Sequence, residues 1–295
     1  MSRVHLAYFS GSGSTAYFAG ALADAFRAQG CKVAEERIGA GPAAFGRGAP
    51  GGGEGLLVLV FCVHEFNAPH PVRRWIDSLP ESRGTAAAVI SVSGGGEVSP
   101  NRASRRASIA QLEQRGYEVF FEDMAVMPCN FFVEHPDPLP AMLLEAAPAT
   151  ARRFAACMAA REHRRTRPPL LDRVASRLCT GVSGRWSPKF GRSLKATDAC
   201  TRCGRCASAC PMGNITVTDG GPRVGDGCAC CLGCVYACPA GALRSASFQT
   251  FVLKSGYDIG AYLSRPIPEG AWQRIDKLAR GFLWKGVRRY LEQRF

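Results

Sequence analysis

The run Cys200-Thr-Arg-Cys203-Gly-Arg-Cys206-Ala-Ser-Ala-Cys210-Pro211 recurs 28 residues further on as Cys228, Cys231, Cys234, Cys238 and Pro239. Both copies read C-x2-C-x2-C-x3-C-P. Three thiolates spaced three apart on a tight loop reach three corners of one [4Fe-4S] cube. The fourth Cys lies one residue too far along for that cube, and the proline after it turns it away. A C-x2-C pair also suits tetrahedral Zn²⁺, but zinc sites usually use two pairs without a third Cys in step or a trailing C-P. Eight packed cysteines with metal-type spacing argue against disulfides and an oxidising compartment. The reading is two [4Fe-4S] clusters, with structural zinc as the alternative.

Such a two-cube core needs only about 50 to 60 residues. With 295 residues in the chain, the first 160 are long enough for a separate α/β domain. The hydrophobic share of 46% fits a globular chain. The N-terminus starts straight into a strand-like segment, so no signal peptide is expected. No apolar run reaches the length of a membrane span. The expected compartment is a reducing cytoplasm. The net charge of +13 is uneven, since residues 152–195 hold twelve Lys or Arg against two acids. Residues 271–295 are also basic, with seven against two.

Val4–Phe9 reads as a short buried strand, followed by Ser10, Gly11, Ser12, Gly13, Ser14 and Thr15 and then a helix over Ala16–Ala28. Strand, Gly/Ser/Thr loop and helix form an anion cradle, with backbone N–H groups at the helix start and hydroxyls beside them. No Lys follows the last Gly, which argues against a nucleoside triphosphate, and the G-x-G-x-x-G order of dinucleotide folds is absent. Further strands are expected at Cys31–Ile38, Gly55–Val63, Ala86–Val92 and Tyr117–Met124. Helices are expected at Val72–Leu79, Asn101–Gly116 and Pro140–Met158, and a long mobile loop over Gly39–Gly55. This rhythm implies an α/β, doubly wound parallel sheet followed by a small α+β domain. Ligands in such a sheet sit at the strand carboxyl ends. Three loops emerge there: 10–15, 62–70 with His64, Phe66 and Asn67, and 93–97 with Ser93, Gly94 and Gly95. His64 or Phe66 could cover the face of a bound ring, or simply pack.

The order S-x-S-G-x-T at Ser10–Thr15 resembles the flavodoxin loop that holds the FMN phosphate without a positive side chain. The cysteine runs resemble those of bacterial two-cluster ferredoxins, in which the fourth Cys binds the other cluster. That resemblance implies one cluster on Cys200, Cys203, Cys206 and Cys238. The other would use Cys228, Cys231, Cys234 and Cys210. Together with the Phe61–Pro71 loop, Ser93-Gly94-Gly95 and Met127-Pro128-Cys129-Asn130-Phe131, these motifs are similar to the EFR1 family of flavodoxin–ferredoxin fusion proteins over roughly residues 3–245. The expected division is a flavodoxin-like domain at 1–160, a basic linker at 161–195, a 2[4Fe-4S] ferredoxin domain at 196–247 and a basic amphipathic extension at 248–295. It implies an electron-transfer protein relaying electrons between FMN and the clusters. The alternatives are a flavin-dependent reductase fed by its own clusters, or a ferredoxin with a flavin-free docking domain.

Smaller signals add less. Cys31, Cys62, Cys129, Cys157 and Cys179 are single and read as small hydrophobes. Cys230 is expected to face away from the cluster held by its neighbour Cys231. No Ser–His–Asp or H-E-x-x-H constellation is present. No nucleic-acid fold accompanies the Arg-rich 161–195 segment, so redox partners with acidic surfaces are expected rather than nucleic acid. Trp272, Ile275, Leu278, Phe282, Trp284, Val287 and Leu291 have mostly helical spacing. That stripe would pack on its own protein, with peripheral membrane contact as the runner-up.

Overall fold

The computed structural model describes residues 2–45, 55–179 and 183–293. Its first half is a sheet of β1 (Arg3–Phe9), β2 (Lys32–Arg37), β3 (Leu56–Cys62), β4 (Ala86–Ser93) and β5 (Glu118–Val126). The strand order is β2-β1-β3-β4-β5, every pair parallel. This is the flavodoxin-like doubly wound order, with its switch point between β1 and β3. Helices α1 (Ser14–Ala28) and α4 (Leu139–Ala159) cover one face, while α2 (His70–Asp77) and α3 (Arg106–Gln114) cover the other.

Strand alternation divides the core. Leu6, Val58, Val60, Ala88 and Ile90 meet Phe18, Leu22, Phe26 and Phe154 from α1 and α4. Phe9, Leu57, Leu59, Phe61 and Val89 meet Trp75, Ile76, Ile109 and Leu112 from α2 and α3. Burial on both faces explains why β3 and β4 read as continuous apolar runs. Of the long loop expected over Gly39–Gly55, residues 46–54 lie outside the described residues.

The segment 161–195 is more structured than its basic composition suggested. Arg164 pairs with the free edge of β5, its N–H donating to Phe120 O and its carbonyl accepting from Glu122 N–H. Helices α5 (Leu170–Cys179) and α6 (Ser183–Ser193) follow. The expected linker missed them because Pro, Arg and exposed leucines mask a helix whose buried face is polar.

The cysteine-rich part alternates short elements: β6 (Leu194–Ala196), α7 (Arg205–Ser208), β7 (Ile215–Thr218), β8 (Gly221–Val224), α8 (Gly233–Tyr236) and β9 (Leu243–Ser245). Antiparallel pairs β6/β9 and β7/β8 bracket it. Its core is Phe190, Leu194, Ile215, Leu232, Val235 and Leu243. The remainder holds α9 (Ile259–Leu263), α10 (Ile275–Leu278) and α11 (Lys285–Glu292).

The C-terminal stripe forms no single helix. Gly281, at φ +88°, falls between α10 and α11, a backbone that L side chains rarely adopt. Most of the stripe packs on its own protein: Ile275, Val287 and Leu291 are buried against Leu139, Met142, Leu143 and Ala146 of α4 and its neighbourhood. Phe282 and Leu283 in the break stay exposed. Gly286 lets α11 lie on the 93–97 loop, since a Cβ there would sit 3.1 Å from Gly96 Cα and would overlap Gly95 O. Gly286→Ala is therefore expected to cost about 1 to 3 kcal/mol and to make the α10–α11 connection a proteolytic cut site. Unchanged denaturant midpoint and digestion pattern would contradict this packing.

Candidate metal centre

The two C-x2-C-x2-C loops share one backbone course. Arg202 and Gly204 have φ of 56° and 77°, and their counterparts Cys230 and Leu232 have 52° and 62°. Two left-handed residues per loop turn the chain around a small body, and Leu232 adopts that geometry without glycine's freedom. Gly213 and Gly241 match likewise, at 57° and 55°. Behind each fourth cysteine an N–H points at sulfur, from Asn214 to Cys210 at 3.4 Å and from Ala242 to Cys238 at 3.2 Å.

Folding divides the eight cysteines into two fours. One cavity is lined by Cys200, Cys203, Cys206 and Cys238, together with Arg202, Arg205 and Leu243. The second is lined by Cys210, Cys228, Cys231 and Cys234, with Phe190, Met212 and Leu232 around them. In each, three cysteines come from one run and the fourth from the other. Cys230 does not line the second cavity. Among the described residues no group of His, Cys, Asp or Glu converges as around a single ion. The donor sets instead surround cavities, and four thiolates with backbone N–H groups aimed at sulfur fit a cubane cluster.

The two cavities differ in setting. Cys203 is exposed, and the backbone N–H of Arg205 and the Thr201 hydroxyl hold its thiol below the usual range. Burial pushes Cys231 up to about 12 and raises Cys234 and Cys228 as well. Thiolates there need a compensating positive charge, which a bound cluster would supply.

The inner cavity abuts the carboxyl end of the parallel sheet. A Cβ on Gly11 would lie 2.3 Å from Cys231 Cβ, and one on Gly233 would lie 2.5 Å from Gly11 O. Asn130 Nδ2 donates to Ser12 Oγ at 2.7 Å and to Cys231 O at 3.2 Å, while its carbonyl accepts from Tyr236 OH at 2.6 Å. Tyr257 hydrogen-bonds Ser14 Oγ and donates to Pro128 O at 2.9 Å. Ile259 sits 3.2 Å from where a Gly13 Cβ would be. Ser10 and Thr15 are buried below.

The other two loops are covered too. His64 lies under the Ala229 backbone with its Nε2 3.3 Å from Cys62 Sγ, and burial lowers its pKa to about 4. Asn67 is used to hold α5 through Ser176, and Phe66 stays partly exposed. Ser93 Oγ accepts from Gly95 N and Asn101 Nδ2. Gly94 faces Cys129, where a Cβ would lie 2.5 Å from Cys129 Cβ. The loop residues thus gather at the switch point, but protein occupies the place of an anion. Tyr257, Asn130 and the Cys231–Gly233 turn thus meet the hydroxyls and backbone that would hold an FMN phosphate.

Sequence reasoning missed Tyr257, Tyr236, Gly286 and His135. These lie far in sequence from the loops they cover and carry no motif. His135 Nδ1 accepts from Cys129 N at 3.1 Å and Nε2 donates to Gly94 O at 2.8 Å, so the ring is neutral. Trp284 lies against it, ring centroids 4.6 Å apart.

Three comparisons bear on these sites. The 4Fe-4S binding domain family matches residues 195–216. No curated protein matches the chain in sequence. Among solved structures, a flavodoxin from the domain Archaea is 12% identical, covering 53% of this chain and 99% of its own, with a TM-score of 0.33. The Streptococcus pneumoniae TIGR4 flavodoxin is 15% identical over 52% of this chain and 99% of its own, TM-score 0.38. The rubredoxin oxygen:oxidoreductase of Desulfovibrio gigas is 15% identical over 54% and 36%, TM-score 0.33. At these values the fold assignment rests on the strand order instead.

His135 gives a pH prediction. Burial lowers its pKa to about 4, whereas the unfolded ring titrates near its usual value of about 6.5. As pH falls from about 6.5 towards 4 the unfolded state takes up the proton first, so stability declines. Between pH 7 and 5 this single group is expected to contribute a loss of about 1 to 2 kcal/mol. Urea midpoints should show a shallower decline in His135→Gln, and an identical decline would remove the assignment.

Proposed function

We propose that the protein is a one-electron carrier holding two [4Fe-4S] clusters, with the flavodoxin-like domain as the seat of the inner one. Cys200, Cys203, Cys206 and Cys238 would hold the outer cluster, and Cys210, Cys228, Cys231 and Cys234 the inner. The observation that carries this is the division of eight cysteines between two cavities, three and one from each run. The clusters supply one-electron redox chemistry. The chain exposes the outer one, buries the inner one and aims N–H groups at sulfur, all of which tune potential. The covered switch point favours the flavin-free docking role over an FMN relay. With it we propose domain limits near 1–160 and 196–247, and a place in the EFR1 family as a member without its flavin.

Electrons would enter or leave at the outer cluster. Arg202 and Arg205 line its cavity and are exposed. A basic rim steers an acidic redox protein to the side where Cys203 is exposed. A reducing, cytoplasmic setting suits such clusters.

Anaerobically purified protein should contain about eight irons per chain. Under a chelator or air, about four should leave first, and Cys203→Ala should abolish that fast phase while sparing the slow one. A single phase in the wild type, or tightly bound zinc in place of iron, would end the two-centre reading. In the same preparation added FMN should not bind. Stoichiometric FMN would show that Tyr257 and the Cys231–Gly233 turn leave the loop, restoring the relay.

A further inference from the structure

Helix α5 is inside out. Its buried residues are Asp172 and Ser176, which make polar contacts: Asp172 accepts from Ser99 Oγ and lies 3.6 Å from Arg102 Nε. Ser176 Oγ donates to Asn67 Oδ1 at 2.8 Å, and Asn67 Nδ2 donates to Ser176 O at 2.8 Å. The apolar residues point away from the protein, with Leu170, Leu171, Val174 and Leu178 exposed by 68, 82, 48 and 71%. At about 100° per residue these four span an arc of roughly 100° opposite Asp172 and Ser176. Arg173 and Arg177 run along one border of that arc, both exposed.

A water-soluble surface gains nothing from four aliphatic side chains aligned on one helix, whereas burying them elsewhere is favourable. We infer that α5 is an interfacial helix that lies on an anionic lipid surface. The charge around the helix selects that occupant. The stripe belongs to the 152–195 segment, with its twelve basic and two acidic residues. Aliphatic side chains on a single convex helix, bordered by arginines, suit the boundary between headgroups and acyl chains. On α6 Trp186 is exposed and carries Lys189 Nζ 5.2 Å from its ring centroid, a pairing that also suits a lipid interface. No helix among the described residues is long and apolar enough to cross a membrane, so α5 would rest on the bilayer. The C-terminal stripe does not supply this face, since most of it is buried on α4. The inference stands independently of what the cysteines hold.

The test is co-sedimentation of the full, iron-loaded chain with two kinds of vesicle: phosphatidylcholine alone, and phosphatidylcholine with about one third phosphatidylglycerol. The wild type is expected to bind the anionic vesicles, and the neutral ones at least about tenfold more weakly. Leu171→Gln/Val174→Gln/Leu178→Gln should lower anionic binding at least about tenfold at unchanged iron content, because these side chains support nothing in the fold. Arg173→Gln/Arg177→Gln should lose most of the preference for the anionic vesicles. Phe282→Gln/Leu283→Gln should bind as the wild type. Wild-type protein that stays in the supernatant, equal binding to both vesicles, or unaltered binding by the triple variant would overturn the proposal. So would a wild-type dimer that the triple variant dissolves while vesicle binding persists, since a second copy would then cover the stripe. Should the triple variant lose iron, Leu171→Gln alone is the readout, and wild-type-like binding by it would count against the stripe.

Discussion

The arrangement depends on one close approach: Gly11 against Cys231 and Gly233. Neither glycine could carry a Cβ here, because one on Gly11 would overlap the Cys231 side chain and one on Gly233 would overlap Gly11 O. Backbone packing this close brings the inner cysteine cavity to the carboxyl end of the sheet. Asn130 and Tyr236 then knit the two together through hydrogen bonds at part-buried positions, where leaving a partner unmade is costly. The usual ligand position of a doubly wound sheet has become a protein–protein contact within one chain.

That contact makes the two cysteine cavities unequal although their local backbones match turn for turn. One faces solvent beside exposed arginines; the other is enclosed by Phe190, Met212 and the sheet end. Pseudo-symmetric loops thus acquire a direction, one exposed at Cys203 and the other packed against the sheet end. Burial is what differs between the two cysteine sets, since each fourth cysteine accepts an equivalent N–H. The asymmetry lies in the domain contact, not in the ligand runs.

Much of the fold was legible because its signals are local. β3 and β4 are continuous apolar runs, and a strand buried on both faces has no other way to be written. The phosphate-type loop was recognised from Ser10–Thr15, and it does precede α1. Its chemistry was not legible, because Tyr257 and Cys231 come from more than 200 residues away. α5 escaped notice for another reason. A helix is read from an apolar face turned inward, and this one turns inward Asp172 and Ser176. The C-terminal stripe had helical spacing, yet Gly281 divides it, and a stripe says nothing about where a chain breaks.

The spacing of eight cysteines and the hydrophobic rhythm of the first half settled donor chemistry, strand number and sheet direction, since each follows from covalent reach or side-chain period along a few residues. Which end of the sheet met the cysteine turns, whether an anion cradle stayed open, and which leucines faced water were settled by packing between distant segments. No pattern along the chain records how two surfaces meet, because that outcome depends on shape and burial summed over residues that are neighbours only in space.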